Sequence, residues 1–153
     1  MGKFNASSNN VYQELTGALS SEYGMAAYFN NTIYYGSINN VLRAFTVQTG
    51  KLSASPTSQT AVSFGYPGTT PGISSNGTQN GIVWALQSSE GQPAVLHAYD
   101  ATNLAHELYN SNQAANSRDK FGNGNKFITP MIANGKVFIG MPNGVAVFGL
   151  FQE

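Results

Sequence analysis

One pattern of short strands and turns occurs three times along this chain, and this internal repeat constrains the fold more than any other feature of the sequence. The three copies span residues 25–52, 70–109 and 129–151. Asparagine and glycine tolerate positive φ angles, so pairs of these residues are typical of tight β-hairpins. A repeat of this length indicates similar units stacked side by side. Each copy makes its first turn at such a pair, namely Asn30-Asn31, Asn76-Gly77 or Asn134-Gly135.

The segments between the turns have the composition of half-buried strands. After the first turn, each copy continues with a β-branched and aromatic run, at residues 33–36, 82–85 and 137–140. After a second turn comes another strand, at residues 42–45, 96–99 and 145–148. Apolar positions alternate with variable ones in these strands, which is the period of a strand with one buried face. Only residues 102–108 suit a helical turn, so we predict an all-β fold.

Composition narrows the possible functions. Of the 153 residues only 9% are charged, against about 25% in ordinary globular proteins, and seven basic side chains balance seven acidic ones. A chain without net charge offers no electrostatic footprint for phosphates, so we expect neither nucleic-acid nor anionic-membrane binding. The absence of cysteine excludes disulfides, zinc–thiolate sites and a thiol nucleophile. We expect no membrane span, because no apolar run reaches about 18 residues.

The repeats resemble those of a known family. The segments TIYYGSINNVLRAFTVQTGKL, AVLHAYDATN and ANGKVFIGMPNGVAVFGL are similar to repeats of the pyrroloquinoline-quinone-like (PQQ-like) β-propeller family, which contain a VYVG-like strand, an LYALDA-like strand and a TGK turn. The resemblance covers residues 25–151 and implies β-propeller blades of four antiparallel strands, about three blades in this chain. It implies a single partial propeller over residues 1–153, located in the periplasm or outside the cell.

On this resemblance the blades are assigned strand by strand, from the innermost strand outward. Blade one, residues 25–57, has strands at 25–30, 32–37, 41–47 and 51–57. Blade two, residues 70–111, has strands at 70–75, 81–87, 94–100 and 106–111. Blade three, residues 127–151, has strands at 127–133, 136–141 and 144–150 and lacks an outer strand. Residues 10–19 contain an orphan outer strand, at 10–15, that belongs to a preceding or neighbouring blade.

Three blades do not close a ring, because propellers use about 4–8 blades to cover every sheet face. The missing blades are expected either from a longer parent polypeptide or from further copies of this chain in a homo-oligomer. In the second arrangement, the strand at 10–15 of one copy completes blade three of the next copy. The sequence leaves both sources open.

The long segments between blades are the predicted binding region. The blade assignment places residues 20–24, 59–68 and 112–126 at one end of the propeller, where family members that bind PQQ hold it. The Arg118 guanidinium suits a bidentate grip on a carboxylate, and its alternative is a local ion pair in a solvated loop. The loop aromatics, Phe64 included, have the alternative role of packing one blade against the next. The candidate ligand-binding residues are Glu22, Tyr23, Tyr66, Arg118 and Asp119.

No residue is assigned to catalysis or to a metal. His97 is expected to be structural, because the sequence shows no carboxylate that would orient it as a base. His106 is expected to be exposed, and a metal site shared by these two histidines is not expected. Asp100 is predicted to fix the turn that follows it, and Trp84 to lie in the core between blades. The sequence contains no GxSxG motif.

We therefore expect a non-catalytic propeller module for assembly, or for binding a small molecule, a glycan or a protein, with no cofactor of its own. One alternative is a fragment of a PQQ- and Ca²⁺-dependent quinoprotein dehydrogenase. The calcium ligands, quinone-floor tryptophan and vicinal disulfide that the resemblance implies for such enzymes do not map onto this chain, so other blades would build the cofactor site. The other alternative is a carbohydrate- or cell-wall-binding propeller that uses Tyr23, Tyr66 and Arg118.

Overall fold

The computed structural model describes residues 4–149, which form three antiparallel sheets. The first contains β1 (Ala27–Phe29), β2 (Thr32–Tyr35), β3 (Asn40–Gln48), β4 (Lys51–Leu52) and β5 (Ser58–Phe64). The second contains β6 (Gly72–Asn76), β7 (Gln79–Gln87), β8 (Val95–Asp100) and β9 (Asn103–Asn110). The third contains β10 (Met131–Ala133), β11 (Lys136–Met141) and β12 (Gly144–Phe148). Helical structure in the described part is limited to a 3₁₀ turn at Ala115–Ser117, so the all-β prediction is confirmed.

Neighbouring strands within each sheet follow one another along the chain. The second sheet has the order β6-β7-β8-β9, and the third has the order β10-β11-β12. In the first sheet, β4 pairs with the last two residues of β3, and β5 pairs with its first half. The predicted turns at Asn30-Asn31 and Asn134-Gly135 connect the first two strands of their sheets, and all four residues have positive φ.

The three sheets stack face to face, with the second sheet in the middle. Alternation along β7 sends Val83 and Ala85 into a core shared with the first sheet. It sends Trp84 and Leu86 into a second core shared with the third sheet. The first strands of successive sheets, β1, β6 and β10, contact one another in series, and β5 contacts β9.

The fourth strand of the first sheet lies later in the chain than predicted. The prediction places it at residues 51–57, but only Lys51–Leu52 is extended there, and Ser58–Phe64 makes the longer pairing with β3. Alternating burial of Thr60 and Phe64 explains why this later segment is the strand. The predicted loop 59–68 is therefore mostly strand, and Phe64 lies in the first core instead of on a loop.

Residues 10–15 form no strand, which corrects the prediction of an orphan outer strand within 10–19. The segment instead contacts the first sheet of its own chain through side chains. The Gln13 amide donates to the Leu52 carbonyl (2.9 Å) and accepts from the Leu52 N–H (2.8 Å). Arg43 donates to the Ala18 carbonyl (2.6 Å). The segment therefore does not provide the free strand that exchange between copies requires.

Most other strands lie within two residues of their predicted bounds, and β9 and β10 differ from them most. Residues 102–108, predicted as a helical turn, lie largely in β9, and the strand predicted at 106–111 begins at Asn103. Two register shifts between β8 and β9 break the alternation of buried and exposed side chains, which makes the sequence period ambiguous there. β10 begins at Met131 instead of residue 127, so residues 127–130 lie in a loop. The strand predicted at 144–150 ends at Phe148, and residue 150 lies outside the described residues.

Candidate functional site

Connecting segments from all three sheets gather at one end of the stack, which we call the loop end. It consists of residues 20–26, 36–39, 65–71, 88–94 and 121–130. Backbone hydrogen bonds join these segments in two groups, and the Ser89 hydroxyl donates to the Tyr66 carbonyl (3.5 Å) between the groups. The backbone hydrogen bonds run from the Ile38 N–H to the Ser21 carbonyl (3.0 Å), from the Thr69 N–H to the Gly36 carbonyl (2.8 Å), and from the Gly124 N–H to the Gln92 carbonyl (2.7 Å).

Three exposed aromatic rings, which we call the aromatic platform, lie side by side on the loop end. The rings of Tyr23 and Tyr66 meet edge to face with centroids 5.7 Å apart, and those of Tyr66 and Phe127 do so at 6.1 Å. Tyr23 precedes β1, Tyr66 lies between β5 and β6, and Phe127 precedes β10. Their exposed fractions are 56%, 45% and 58% in that order. Edge-to-face contacts orient the rings while about half of each remains open to solvent.

The backbone at Phe127 is strained. Its φ is +62°, in the left-handed region that bulky side chains rarely adopt. This conformation costs roughly 1–2 kcal/mol, and the exposed ring recovers little of that through burial. The next residue, Ile128, packs against the second core, which anchors the loop from below. The chain therefore tolerates strain that holds an exposed ring beside Tyr66.

Charges next to the aromatic platform cancel. The Lys126 Nζ lies 5.9 Å from the centroid of the Tyr66 ring and 2.5 Å from a carboxylate oxygen of Glu90. The hydrogen bond from Lys126 holds the pKa of Glu90 below its usual range, and the same bond raises the pKa of Lys126. Both groups stay ionised at neutral pH, so the pair adds no net charge to this surface.

Glu22 lies beside Tyr23 with one carboxyl oxygen free of protein partners. Its Oε1 accepts a hydrogen bond from the Gly24 N–H (3.2 Å), while its Oε2 is buried and has no hydrogen-bond partner in the described structure. Burial raises the pKa of Glu22, and the Gly24 N–H opposes the rise only in part. The Glu22 carboxyl group is the polar group of the predicted site that stays next to the platform.

The aromatic platform covers almost no cavity. The depression that Tyr23, Thr70 and Phe127 help to line has a volume of about 10 Å³, which is room for one water molecule. Small-molecule sites usually enclose about 300–1,000 Å³. A ligand of the platform therefore lies across the rings instead of entering the protein.

Two larger clefts lie away from the platform. One, of about 480 Å³, separates residues 14–18 from Arg43 and residues 54–56. The other, of about 260 Å³, lies between the first two sheets and is lined by Phe29, Tyr34 and other residues. Neither cleft is lined by a predicted site residue.

Arg118 and Asp119 bind each other, and Asp119 also binds Tyr109. The Arg118 Nε and Nη2 atoms donate to the two Asp119 carboxylate oxygens (2.7 and 3.1 Å), and the Tyr109 hydroxyl donates to the same carboxylate (2.6 Å). These hydrogen bonds lower the pKa of Asp119 to about 2. Burial, reinforced by the Asp119 carboxylate, raises the pKa of Tyr109. Arg118 thus binds a carboxylate of its own chain. Because Tyr109 of β9 binds the same carboxylate, the ion pair holds the loop after β9 against β9.

His97 lies buried in the packing between the first two sheets. Its Nδ1 is 2.6 Å from Glu107 Oε1, and its ring stacks on Tyr99 and meets Phe64 edge to face, both at 5.8 Å. Burial tends to raise the pKa of Glu107, but hydrogen bonds from His97 and Asn110 lower it overall. The sequence does not reveal this carboxylate partner, because the register shifts between β8 and β9 decide which residues meet.

The remaining polar candidates form a turn instead of a metal site. Asp100 accepts hydrogen bonds from the backbone N–H and the hydroxyl of Thr102 (2.7 Å each), which fixes the turn into β9. The exposed His106 lies 3.7 Å from Asp100. Within residues 4–149, no three histidine, aspartate or glutamate side chains are grouped closely enough to hold a metal ion.

Phe127 and Glu90 lie outside the predicted binding region, and Lys126 lies at its end without having been a candidate residue. The repeat pattern assigns Phe127 to the first strand of blade three, although β10 begins only at Met131. The sequence signal for a binding loop at this position was a lysine and an aromatic residue directly after the Gly-Asn-Gly-Asn run. Glu90 gave no signal, because its pairing with Lys126 across 36 positions depends on how the sheets stack.

Comparison of the chain with protein-family models, with curated proteins and with solved structures finds no match in any of the three. No helix in residues 4–149 has the length and apolar character needed to cross a bilayer.

Proposed function

We propose that this chain is a non-catalytic β-propeller module whose third sheet is covered by a further blade. The face-to-face stacking of the sheets, with their first strands in contact, supports this proposal, because neighbouring blades of a propeller pack in that way. The resemblance to PQQ-like repeats supports the same arrangement and a location outside the cytoplasm. The further blade comes from a longer parent polypeptide or, for the isolated chain, from a second copy.

The observation that carries the proposal is the apolar outward face of the third sheet. Met131, Phe138 and Val147 are aligned across β10, β11 and β12, on the face opposite to the buried Val137. Val145 adds to the same face, and the exposed fractions of Met131, Val145 and Val147 are 57%, 62% and 53%. A contiguous apolar face of this kind on a soluble protein indicates an interaction surface.

The opposite face of the stack is already covered. Phe45 follows Ala44 of the first core along β3 and so points away from the second sheet, yet its side chain is only 1% exposed. The N-terminal segment, residues 10–19, contacts the first sheet through Gln13 and through the hydrogen bond from Arg43 to the Ala18 carbonyl. Within the described residues, β12 has no strand on its outer edge, whereas the second sheet has β9 in that place. One end of the stack is thus closed by its own chain, and the other is open.

Site-specific labelling tests the proposal, because the chain has no cysteine and single-cysteine variants report on one surface at a time. We expect the alkylation rate of Val147→Cys to fall as protein concentration rises, since a second copy then covers the third sheet. Thr78→Cys, in the exposed turn between β6 and β7, is the matched control and should react at a constant rate. Equal, concentration-independent rates for the two thiols would contradict the proposal. Dye reduction by the chain with PQQ, Ca²⁺ and an alcohol would favour the dehydrogenase alternative.

A further inference from the structure

We propose that the aromatic platform, formed by Tyr23, Tyr66 and Phe127, binds a neutral polysaccharide. A sugar ring has an apolar face of C–H groups, which packs on an aromatic face, and a rim of hydroxyl groups, which bind neighbouring polar side chains. The platform offers three neighbouring rings with successive centroids 5.7 and 6.1 Å apart and planes inclined at 74° and 82°, so a ligand meets ring faces and ring edges in turn. All three residues are about half exposed, so a ligand reaches them without a rearrangement of the fold.

The shape of the surface selects an extended ligand. A cavity of about 10 Å³ below the rings cannot enclose a small molecule. The three rings come from three separate segments; backbone hydrogen bonds hold those of Tyr23 and Tyr66 through residues 36–39, and that of Phe127 through residues 88–94. A polymer that lies across all three rings uses the whole platform, whereas a compact ligand would contact only part of it.

The charge of the surface selects a neutral ligand. An anionic polymer would have to displace Glu90 from Lys126, and a cationic ligand would compete with Lys126 for the Tyr66 ring. The polar rim supplies what sugar hydroxyls need. The exposed Glu90 carboxylate, which lies next to Tyr66 through Lys126, accepts hydrogen bonds from such hydroxyl groups.

The strained backbone of Phe127 supports a binding role for its ring. The left-handed conformation at φ +62° is unfavourable for phenylalanine, and the ring stays 58% exposed. Strain held at an exposed residue is characteristic of binding sites, where a ligand recovers the cost. This inference does not depend on the proposed covering of the third sheet, because the platform belongs to the loop end.

Affinity electrophoresis tests the inference directly. The full chain is run in native gels that contain hydroxyethylcellulose, xylan or galactomannan as neutral probes, or alginate as an anionic one. We expect at least one neutral polymer to retard the chain and alginate to leave it unretarded. Tyr66→Ala and Phe127→Asn should weaken binding about tenfold or more, since each removes a contact ring. Asparagine tolerates the left-handed backbone, so the second variant removes the ring and keeps the loop conformation.

Matched variants separate the binding role from folding. Tyr66→Phe keeps the ring and should retain binding, as should Tyr12→Ala, which removes an exposed tyrosine from the N-terminal segment. Arg118→Ala should also retain binding, because Arg118 is paired with Asp119. Circular dichroism and thermal melting confirm that each variant is folded.

Four results would overturn the inference. They are the absence of retardation in every neutral gel, retardation by alginate alone, unchanged binding of Tyr66→Ala, and self-association that this variant abolishes. The last result would mean that a second copy covers the rings. Val147→Lys changes the third sheet and leaves the platform intact. If this variant binds the polysaccharide as the original chain does but no longer self-associates, the two proposals stand or fail separately.

Discussion

At the residue scale, Asp119 shows how a candidate binding group becomes part of the fold. Its carboxylate receives hydrogen bonds from Arg118 and Tyr109, which lower its pKa to about 2 from an ordinary value of 3.8. Because the folded-state pKa lies below that of the unfolded chain, ionisation of Asp119 stabilises the fold above about pH 4. That contribution is lost as the pH falls from about 4 to about 2, where the folded state also takes up the proton.

We therefore expect Asp119→Asn to weaken the dependence of the free energy of unfolding on pH in the acid range. In the original chain, the free energy of unfolding should fall across the range from about pH 4 to about pH 2, and the variant should fall less steeply. Urea denaturation at intervals across this range measures both slopes. Parallel slopes would mean that Arg118 and Tyr109 do not hold the Asp119 carboxylate as described.

Single-residue roles were predictable where neighbours in sequence decide them. Asp100 and Thr102 are two positions apart, so the turn that they form follows from local chemistry. The ion pair between Arg118 and Asp119, the alternative to ligand binding in the sequence analysis, likewise joins neighbours in sequence. The contact between His97 and Glu107 was not predictable, because it requires the register of β8 and β9 to be known.

At the element scale, the N-terminal segment acts as a cover for the first sheet without being a strand. The Gln13 side chain makes two hydrogen bonds with the backbone of Leu52, which take the place of strand pairing at the edge of β4. Tyr12 adds a hydrogen bond to the Thr49 carbonyl (3.2 Å) and lies beneath Lys51. Residues 11–15 lie within the predicted strand at 10–15, but the polar side chains of Tyr12 and Gln13 make the contacts of this segment.

We expect Gln13→Ala to lower the free energy of unfolding by about 1–2 kcal/mol, since each lost hydrogen bond contributes about 0.5–1.5 kcal/mol. Gln79→Ala is the matched control, because Gln79 is exposed at the start of β7. It should change stability by less than about 0.5 kcal/mol. Urea denaturation of both variants tests this, and equal losses would show that the segment does not cover the first sheet.

Strand bounds were predictable where turns and alternation agree. β11 lies at residues 136–141, as the Asn134-Gly135 turn and the apolar run predict. β5 was missed although Thr60, Val62 and Phe64 alternate with polar residues, because the Thr49-Gly50 turn favours an immediate return strand at residue 51. The turn does return the chain, but for two residues only. The turn residues Thr49 and Gly50 thus predict the hairpin between β3 and β4 but not the length of β4.

At the scale of the whole molecule, the repeat predicted the number of sheets and their order along the chain. Each repeat forms one antiparallel sheet, and the sheets stack through apolar faces. The aromatic platform was only partly predictable, since Tyr23 and Tyr66 were candidates while Phe127 was assigned to a strand. Which loops meet depends on the stacking of sheets that are distant in sequence, and a local pattern does not encode that.

The most direct test of the proposed further blade is the solution mass of the chain by light scattering across a concentration series. A single chain has a mass of 16.2 kDa. We predict a weight-average mass that rises above this value with concentration, and a return to it in Val147→Lys, because a lysine on the outward face of the third sheet opposes its burial. A mass that stays at that of one chain throughout the series would contradict the covering of the third sheet.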